Sequence, residues 1–246
     1  MAISYRSILY DSERIFTLAI DQYEEGILEG VLYQGEQQAG VCFTGYHGLA
    51  WQMEQFFFRI RYPRPVMDRR EFQTGRSDEV PNESIREEAR RDGKRCTYML
   101  RVTQRQNASW QGSIKKAGEE EYRFSSFLKL VIYLEADLGS RAERQMEAPD
   151  KEACGKLVEK YLQIVMNYPE TLKILPDTLV YRFQKEGRSR TFMVRPMFYE
   201  HDTCQGTVYW KECRKQSSFR SFLELIRMMG SVVWDGSDWS EQEEAI

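Results

Sequence analysis

The chain contains three copies of one sequence, and this repetition constrains its fold more than any other feature. The first blocks align without a gap: they are FTLAIDQYEEGILEGVLY from Phe16, YMLRVTQRQNASWQGSIK from Tyr98 and FMVRPMFYEHDTCQGTVY from Phe192. They share apolar positions and one glycine, which is Gly30, Gly112 or Gly206. The second blocks follow from Phe43, Phe124 and Phe219. Self-similarity of this kind indicates one supersecondary unit that was copied and packs against its neighbours.

The first block of each copy predicts a β-hairpin. In the second copy Tyr98, Leu100 and Val102 alternate with other residues, which is typical of a strand with one wet face. The turn-forming stretch QNAS follows, and then a strand whose inward set includes Trp110. We expect Trp110 to be buried against the helix of its own copy, near Phe127. The shared glycine lies in this inward set, and we interpret it as room for a helix that crosses the sheet.

The second block predicts a helix after a short third strand. Its apolar stripe in the second copy is Phe127, Leu130, Val131 and Leu134. Ser125 or Ser126 is the expected N-cap. The predicted fold class is therefore α+β, with three antiparallel βββα repeats in which one helix crosses each meander sheet.

The predicted helices are also apolar on the side that a surface helix leaves polar. These residues are Leu128 and Ile132 in the second copy, and Leu223 and Met228 in the third. Because such side chains do not stay wet in a soluble monomer, we expect the second and third copies to bury them against each other.

The copies and their spacers predict a domain organisation. Residues 1–66 form the first βββα module and residues 67–94 a charged linker. Residues 95–235 hold the second and third modules with an inserted amphipathic helix at 150–167, and an acidic tail covers 236–246. Within the linker we expect a short exposed helix near Glu83–Arg91. The stretch TLKILPDTLVYRFQKEG is expected to be irregular chain that leads into a strand.

The composition favours a folded cytoplasmic protein. The formal net charge is -3 and the pI is near 5.7, so there is no global signature of polyanion binding. Five cysteines without a CxxC pair are typical of reduced thiols. No apolar run reaches the length of roughly 18 residues that a membrane helix needs, so no membrane partner is expected. The N-terminus has no apolar secretory core.

No set of residues in the sequence points to catalysis. The two histidines, His47 and His201, fall in a predicted helix and a predicted turn, and no common nucleophile, zinc or phosphate-binding motif occurs. We therefore expect no enzyme activity, no catalytic residues, no metal and no cofactor.

Two groups of residues are candidates for binding. An aromatic group at the far end of the first module is a candidate surface for a protein partner, or else closes the core of that module: Trp51, Phe56, Phe57 and Phe58. A basic group is a candidate contact for a polyanion: Arg101, Arg105 and Lys115 on the outward face of the second copy, with Arg59, Arg61 and Arg64 before the linker. The aligned positions of the other copies do not keep the sign of charge, which argues against nucleic-acid binding as a shared function.

The strings RQNASWQG, FRSFLEL and FSSFLKL resemble those of uncharacterised proteins of anaerobic Gram-positive bacteria. In that family a strand, a W-Q-G strand and an F-R-S-x-L-E-L helix recur. The resemblance covers Thr97–Leu138 and Thr191–Val233, while the first copy departs from it, with Leu28 and Glu29 in place of the W-Q pair. The resemblance implies a fold and no activity.

These observations favour a non-enzymatic cytoplasmic binding or scaffold protein whose triplicated module recruits a protein partner. A nucleic-acid-associated regulator that uses the basic groups is the alternative. A third possibility, an enzyme with a cleft between the modules, stays open because catalytic sites depend on geometry.

Overall fold

The computed structural model describes residues 14–24, 26–68, 70, 72, 86–139, 151–166, 170–175, 177–185 and 188–233. Within these ranges the fold is α+β, as predicted, with four helices and two antiparallel sheets. The strands are β1 (Ile15–Glu24), β2 (Ile27–Gln34), β3 (Ala39–Thr44), β4 (Glu87–Ala89), β5 (Cys96–Gln104), β6 (Gln111–Lys116), β7 (Tyr122–Phe124), β8 (Glu170–Leu175), β9 (Thr178–Lys185), β10 (Arg188–Glu200), β11 (Thr203–Trp210) and β12 (Lys215–Phe219). The helices are α1 (Gly45–Ile60), α2 (Phe127–Leu138), α3 (Lys151–Val165) and α4 (Phe222–Val233).

The larger sheet has seven strands in the order β4-β3-β2-β1-β5-β6-β7. Its centre is the antiparallel pair β1–β5, in which Thr17 lies opposite Met99. The neighbouring pairs join Phe16 to Leu100 and Leu18 to Tyr98. Because Phe16 aligns with Tyr98 and Leu18 with Leu100, the first and second copies pair symmetrically about Thr17 and Met99. The prediction placed the second and third copies together and did not anticipate this sheet shared by the first and second. The domain boundaries themselves stay predictions.

The smaller sheet has five strands in the order β12-β11-β10-β9-β8. The expectation of irregular chain before β10 is wrong, because β8 and β9 pair with each other and β9 pairs with β10. Asp177 has a φ of 60°, the left-handed conformation that suits a tight connection between two strands. Leu179, Tyr181 and Phe183 are buried at alternate positions of β9, which ties this hairpin to the core.

The expected helix near Glu83–Arg91 is also wrong where the structure describes it, because residues 87–89 form β4. This strand pairs with β3, whose backbone groups it satisfies: Cys42 N–H donates to Arg86 O at 2.9 Å, and Arg90 N–H donates to Gln38 O at 2.7 Å. Residues 73–85 of the predicted linker and the predicted acidic tail lie outside the described residues.

The long hairpins β1–β2, β5–β6 and β10–β11 each carry a β-bulge at the same aligned position. The bulges lie between Ile20 and Gln22, between Val102 and Gln104, and between Pro196 and Phe198. The shared glycines lie opposite, and a Cβ there would overlap the carbonyl oxygen of Ala19, Arg101 or Arg195 respectively. The interpretation of the glycine as room for a helix is therefore wrong: the nearest neighbour is the backbone of the paired strand.

Each bulge reverses which face the following residues occupy, because one extra residue shifts the alternation. Arg105 was expected on the outward face, yet it shares the inward face with the core, as do Tyr23 and Tyr199 at the aligned positions of the other copies. Arg105 is 8% exposed, and the partly buried Tyr23 and Tyr199 pack against the hydrophobic core.

One hydrophobic core joins the inward faces of both sheets to all four helices. Trp110 is fully buried with its ring centroid 4.9 Å from that of Phe127, which confirms the predicted contact. Ser126 is the N-cap of α2, and its Oγ accepts a hydrogen bond from Lys129 N–H. Helix α2 contacts α4. The apolar residues that the second and third copies were expected to bury against each other are all buried: Leu128, Ile132, Leu223 and Met228.

The second and third copies contact each other through reciprocal hydrogen bonds at their helix N-caps. Ser126 Oγ–H donates to Asp202 O, and Ser221 Oγ–H donates to Ala108 O, both at 2.6 Å. Each serine precedes a helix of one copy, and each carbonyl lies in the hairpin turn of the other. Both serines also cap their own helices, so each copy fixes the helix start of its neighbour.

Candidate functional site

A buried carboxylate, Glu54 of α1, lies where all three copies meet. It is 3% exposed and accepts hydrogen bonds from Trp110 Nε1 at 2.8 Å and from Arg227 Nη1 at 3.1 Å. It also forms a buried ion pair with Arg105, whose other nitrogen donates to Pro63 O at 3.3 Å. The bulge in β5 is what aims Arg105 at this point.

A small cleft of about 30 Å³ opens beside Glu54. Four arginines and three carboxylates line it: Arg70, Arg105, Arg220, Arg227, Glu54, Asp68 and Glu224. Glu224 receives the side chain and the backbone N–H of Arg220, so it is held much as Glu54 is. The lining can offer donors and acceptors to a small polar ligand, but its two buried carboxylates already bind arginines.

A second buried carboxylate, Glu135 of α2, occupies the position aligned with Glu54. It accepts hydrogen bonds from Tyr46 Oη at 2.6 Å and from Tyr23 Oη at 2.8 Å. Burial and the adjacent carboxylate raise the pKa of Tyr46 well above its ordinary value, so its hydroxyl stays a donor.

The two carboxylates are part of a reciprocal exchange between the first and second copies. Tyr23 of the first copy bonds to Glu135 of the second, and Arg105 of the second pairs with Glu54 of the first. Tyr23 and Arg105 are themselves aligned positions. The third copy has Gly230 where the other two have glutamate.

The outer face of β5–β7 is basic and largely exposed in the part of the chain that the structure describes. Lys115 and Arg123 are exposed, Arg101 is partly buried, and Met99 is 49% exposed between Thr17 and Lys115. Strands β5, β6 and β7 contain no aspartate or glutamate. Three cations therefore share one sheet face without a carboxylate from the same strands.

The outer face of β1–β3 differs because the chain around β4 covers it. Ala19, Val31 and Tyr33 form a small buried cluster there. Tyr33 Oη–H donates to Ala89 O at 2.9 Å, and the Arg90 guanidinium lies 5.5 Å from the centre of its ring.

An ion-pair network fixes this cover in place. Arg91 bonds to both Asp21 and Glu88. The Arg91 guanidinium lowers the pKa of the Asp21 carboxyl below its ordinary value, against the opposing effect of burial, and lowers that of Glu88 as well. Lys94 N–H also donates to Asp21 at 3.1 Å.

The predicted partner-binding aromatics do not lie together on a surface. Phe56 and Phe57 are buried in the core, where Phe57 packs edge-on against Trp110 at 5.5 Å. Trp51 is partly buried, and Phe58 is 62% exposed. For Trp51 and Phe58 contact with a partner stays a prediction.

Two apolar side chains near Phe58 in sequence were missed. Val66 is 68% exposed and Met67 is 40% exposed. The signal in the sequence was the apolar pair in PRPVMDRR, which stands alone among charged residues.

The predicted polyanion contacts separate into two groups. Arg59, Arg61 and Arg64 are exposed at the end of α1 and after it, whereas Arg105 is buried in an ion pair. Arg59 lies over the ring of Phe56 at 5.0 Å. Residues 62–66 run beside the end of β5, since Val66 N–H donates to Arg105 O at 3.2 Å.

The described ranges contain neither a candidate metal site nor a candidate membrane-spanning helix. No group of three or more His, Cys, Asp or Glu side chains there could hold a metal ion. None of the helices described is long and apolar enough to cross a membrane. His201 lies in the β10–β11 turn, as predicted. The pKa of His47 is lowered to about 3, mainly by burial and to a smaller extent by the positive charge of Arg227.

Comparison of the chain with protein-family models, with curated proteins and with solved structures found no match. The resemblance to uncharacterised proteins of anaerobic bacteria stays a prediction.

Proposed function

We propose that the protein is a non-enzymatic cytoplasmic binding or scaffold protein, built from three βββα repeats, that recruits a protein partner at the end of α1. The repeat architecture is supported by the three bulges at aligned positions and by the glycine opposite each one. A helix follows the third strand of each copy, as in β3–α1, β7–α2 and β12–α4.

The observation that carries the binding surface is a concentration of exposed apolar side chains. Large exposed hydrophobics in the described ranges include Phe58, Val66 and Met67, all between residues 58 and 67. Apolar side chains at a surface beside charged ones are typical of an interface, and aromatic residues supply much of the binding energy there. Arg59, Arg61 and Arg64 are exposed in the same segment of the chain, and we propose that they form the polar rim of the interface.

The carboxylates of the neighbouring cleft support a role other than catalysis. Glu54 and Glu224 are each bonded to arginine. The ion pairs of Glu54 join α1 to the end of β5 and to α4, and the pair Arg220–Glu224 is local to the start of α4. The described cysteines form no disulfide bond, which suits a cytoplasmic location.

Site-specific photocrosslinking in the native host tests this proposal. A photoreactive amino acid replaces Phe58 in one variant and Met99 in a control, because both positions are exposed but lie on different surfaces. We expect a protein adduct at position 58, none at position 99, and a roughly tenfold lower yield when Val66→Ser is added. Absence of an adduct at position 58, or a yield unchanged by Val66→Ser, contradicts the proposal.

Binding of single-stranded nucleic acid by the outer face of β5–β7 is a second candidate function. The observation that favours it is the set Arg101, Lys115 and Arg123 on strands without carboxylates, with Met99 exposed among them. A basic sheet face can follow a phosphate backbone, while an apolar side chain contacts a base. The aligned face of the first copy is covered, so its lack of positive charge no longer argues against this function.

Electrophoretic shifts with single-stranded RNA and DNA at several salt concentrations test the second candidate. We expect the double variant Lys115→Glu, Arg123→Glu to bind at least roughly tenfold more weakly and to lower the salt slope by about two. Lys211→Glu, at an exposed turn of the other sheet, is the matched control and should bind normally. Equal binding by both variants removes this face from consideration.

A further inference from the structure

Two buried thiols lie next to each other where the inserted helix α3 packs on the third copy. The Sγ atoms of Cys154 and Cys204 are 3.0 Å apart, although the residues are 50 positions apart in the sequence. Their side chains are 1% and 0% exposed, and neither takes part in the surfaces described above.

The fold holds this pair from two sides. Cys154 lies near the N-terminal end of α3, which packs on β10, and Cys204 lies in β11 beside the hairpin turn. Tyr199, on the strand paired with β11, lies directly opposite Cys204. The Sγ of Cys154 is also 3.7 Å from Phe198 O, so the thiol sits directly above the bulged part of β10.

We propose that Cys154 and Cys204 are an oxidation site that closes to a disulfide when the protein meets a peroxide. A disulfide has an S–S distance of about 2.05 Å, so the sulfur atoms need to approach by only about 1 Å. The bond would fasten α3 to the hairpin β10–β11. It is reversible by thiols, as regulatory disulfides inside cells are.

The step balances with hydrogen peroxide as the oxidant. The Cys154 thiolate attacks one peroxide oxygen, the O–O bond breaks, and the departing hydroxide takes the proton of the Cys204 thiol to leave as water. This converts Cys154 to a sulfenic acid. The Cys204 sulfur then attacks the Cys154 sulfur, the S–O bond breaks, and a second water leaves with the proton released when Cys154 ionised. Two thiols and one peroxide thus give one disulfide and two waters.

The environments of the two thiols suit these separate roles. The hydrogen bond between the sulfur atoms lowers the pKa of Cys154, against the effect of burial. The same hydrogen bond and burial raise the pKa of Cys204. Cys154 is therefore the thiol that reacts first, because the thiolate is the nucleophile.

Peptide mapping of the full-length protein tests the proposal. The reduced protein is treated with hydrogen peroxide, its remaining thiols are alkylated after unfolding, and the digest is read by mass spectrometry with and without prior dithiothreitol. We expect one linked peptide that contains Cys154 and Cys204 and that dithiothreitol separates. Cys213→Ser, at the exposed cysteine, should leave the link intact, whereas Cys204→Ser should leave Cys154 as a sulfenic acid that a dimedone probe captures.

A second readout is the midpoint temperature of thermal unfolding of the wild-type protein. This measurement does not depend on whether a cysteine variant folds. The link closes a long loop, so oxidation should raise the midpoint by roughly 5–15 °C, and dithiothreitol should reverse the change. The proposal is overturned if Cys154 and Cys204 are both alkylated after peroxide treatment while Cys213 is oxidised, or if the linked peptides join other cysteines.

Discussion

The first two copies share one sheet, yet their outer faces are opposite in character. Tyr33 and Lys115 occupy aligned positions, each beside the central pair of Thr17 and Met99. Tyr33 is fully buried beneath the chain around β4, whereas the side chain of Lys115 is exposed to solvent. The difference shows that the surface of a repeated unit depends on the chain inserted between the copies as well as on the unit itself.

On the inner side of the same sheet the two copies are alike. Each presents a glutamate from its helix to a side chain of the other copy, through Tyr23–Glu135 and Arg105–Glu54. The inner faces therefore hold the copies together, while the outer faces are free to differ.

The sharpest test of the comparison replaces the aligned outer residues. Tyr33→Ala should lower the free energy of unfolding by roughly 3–5 kcal/mol, because it empties a buried aromatic site and leaves Ala89 O without its donor. Lys115→Ala should change the same quantity by no more than about 0.5 kcal/mol. Chemical denaturation of both variants beside the wild type measures the two values. Equal losses would mean that the face of β5–β7 is covered too.

The second test concerns the inner exchange. Glu54→Gln should cost roughly 2–4 kcal/mol of stability, since it removes the negative charge that compensates the buried Arg105. Glu135→Gln is the matched control: its partners are neutral hydroxyls, so it should cost about 1 kcal/mol. Urea midpoints report the difference. If the order of the two is reversed, Glu54 and Arg105 are not the principal contact between these copies.

The smallest expected effect concerns the cover of the first copy and its dependence on pH. The pKa of Asp21 is lowered in the folded state, so its ionised form stabilises the fold above the unfolded value of about 3.9, and this stability is lost as the pH falls through the folded pKa. Asp21→Asn should cost about 1 kcal/mol at pH 7 and less at pH 2. Denaturation at both pH values, with Glu29→Gln in the exposed part of β2 as control, measures this change. A loss that stays constant with pH would show that Asp21 acts through packing.

Alternation and apolar stripes were sufficient to predict the long hairpins, the helices that follow them and the burial of Trp110 against Phe127. These elements follow from local patterns, which a sequence displays directly. The strand pairing β1–β5 was not predictable in this way, because it joins residues some 80 positions apart and no local pattern marks it.

The bulges explain the main errors about the candidate sites. Nothing in the residue types Asp21, Thr103 and Met197 marks them as extra residues, so simple alternation placed Arg105 on the wrong face. The shared glycine did carry the signal, since a glycine in a strand often accompanies a bulge. A bulge read from that glycine would have turned Arg105 toward the core and removed it from the polyanion surface.

The reciprocal contacts have a consequence for how the molecule comes apart. Glu54 draws Arg105 and Trp110 from the second copy and Arg227 from the third, and Ser126 and Ser221 cap across the second and third. Separation of any one copy from the others would leave a buried charged group without its ion-pair partner. The chain should therefore lose its structure in one concerted transition, unlike an array in which end units fray first, and a protease should find the described part either whole or entirely open.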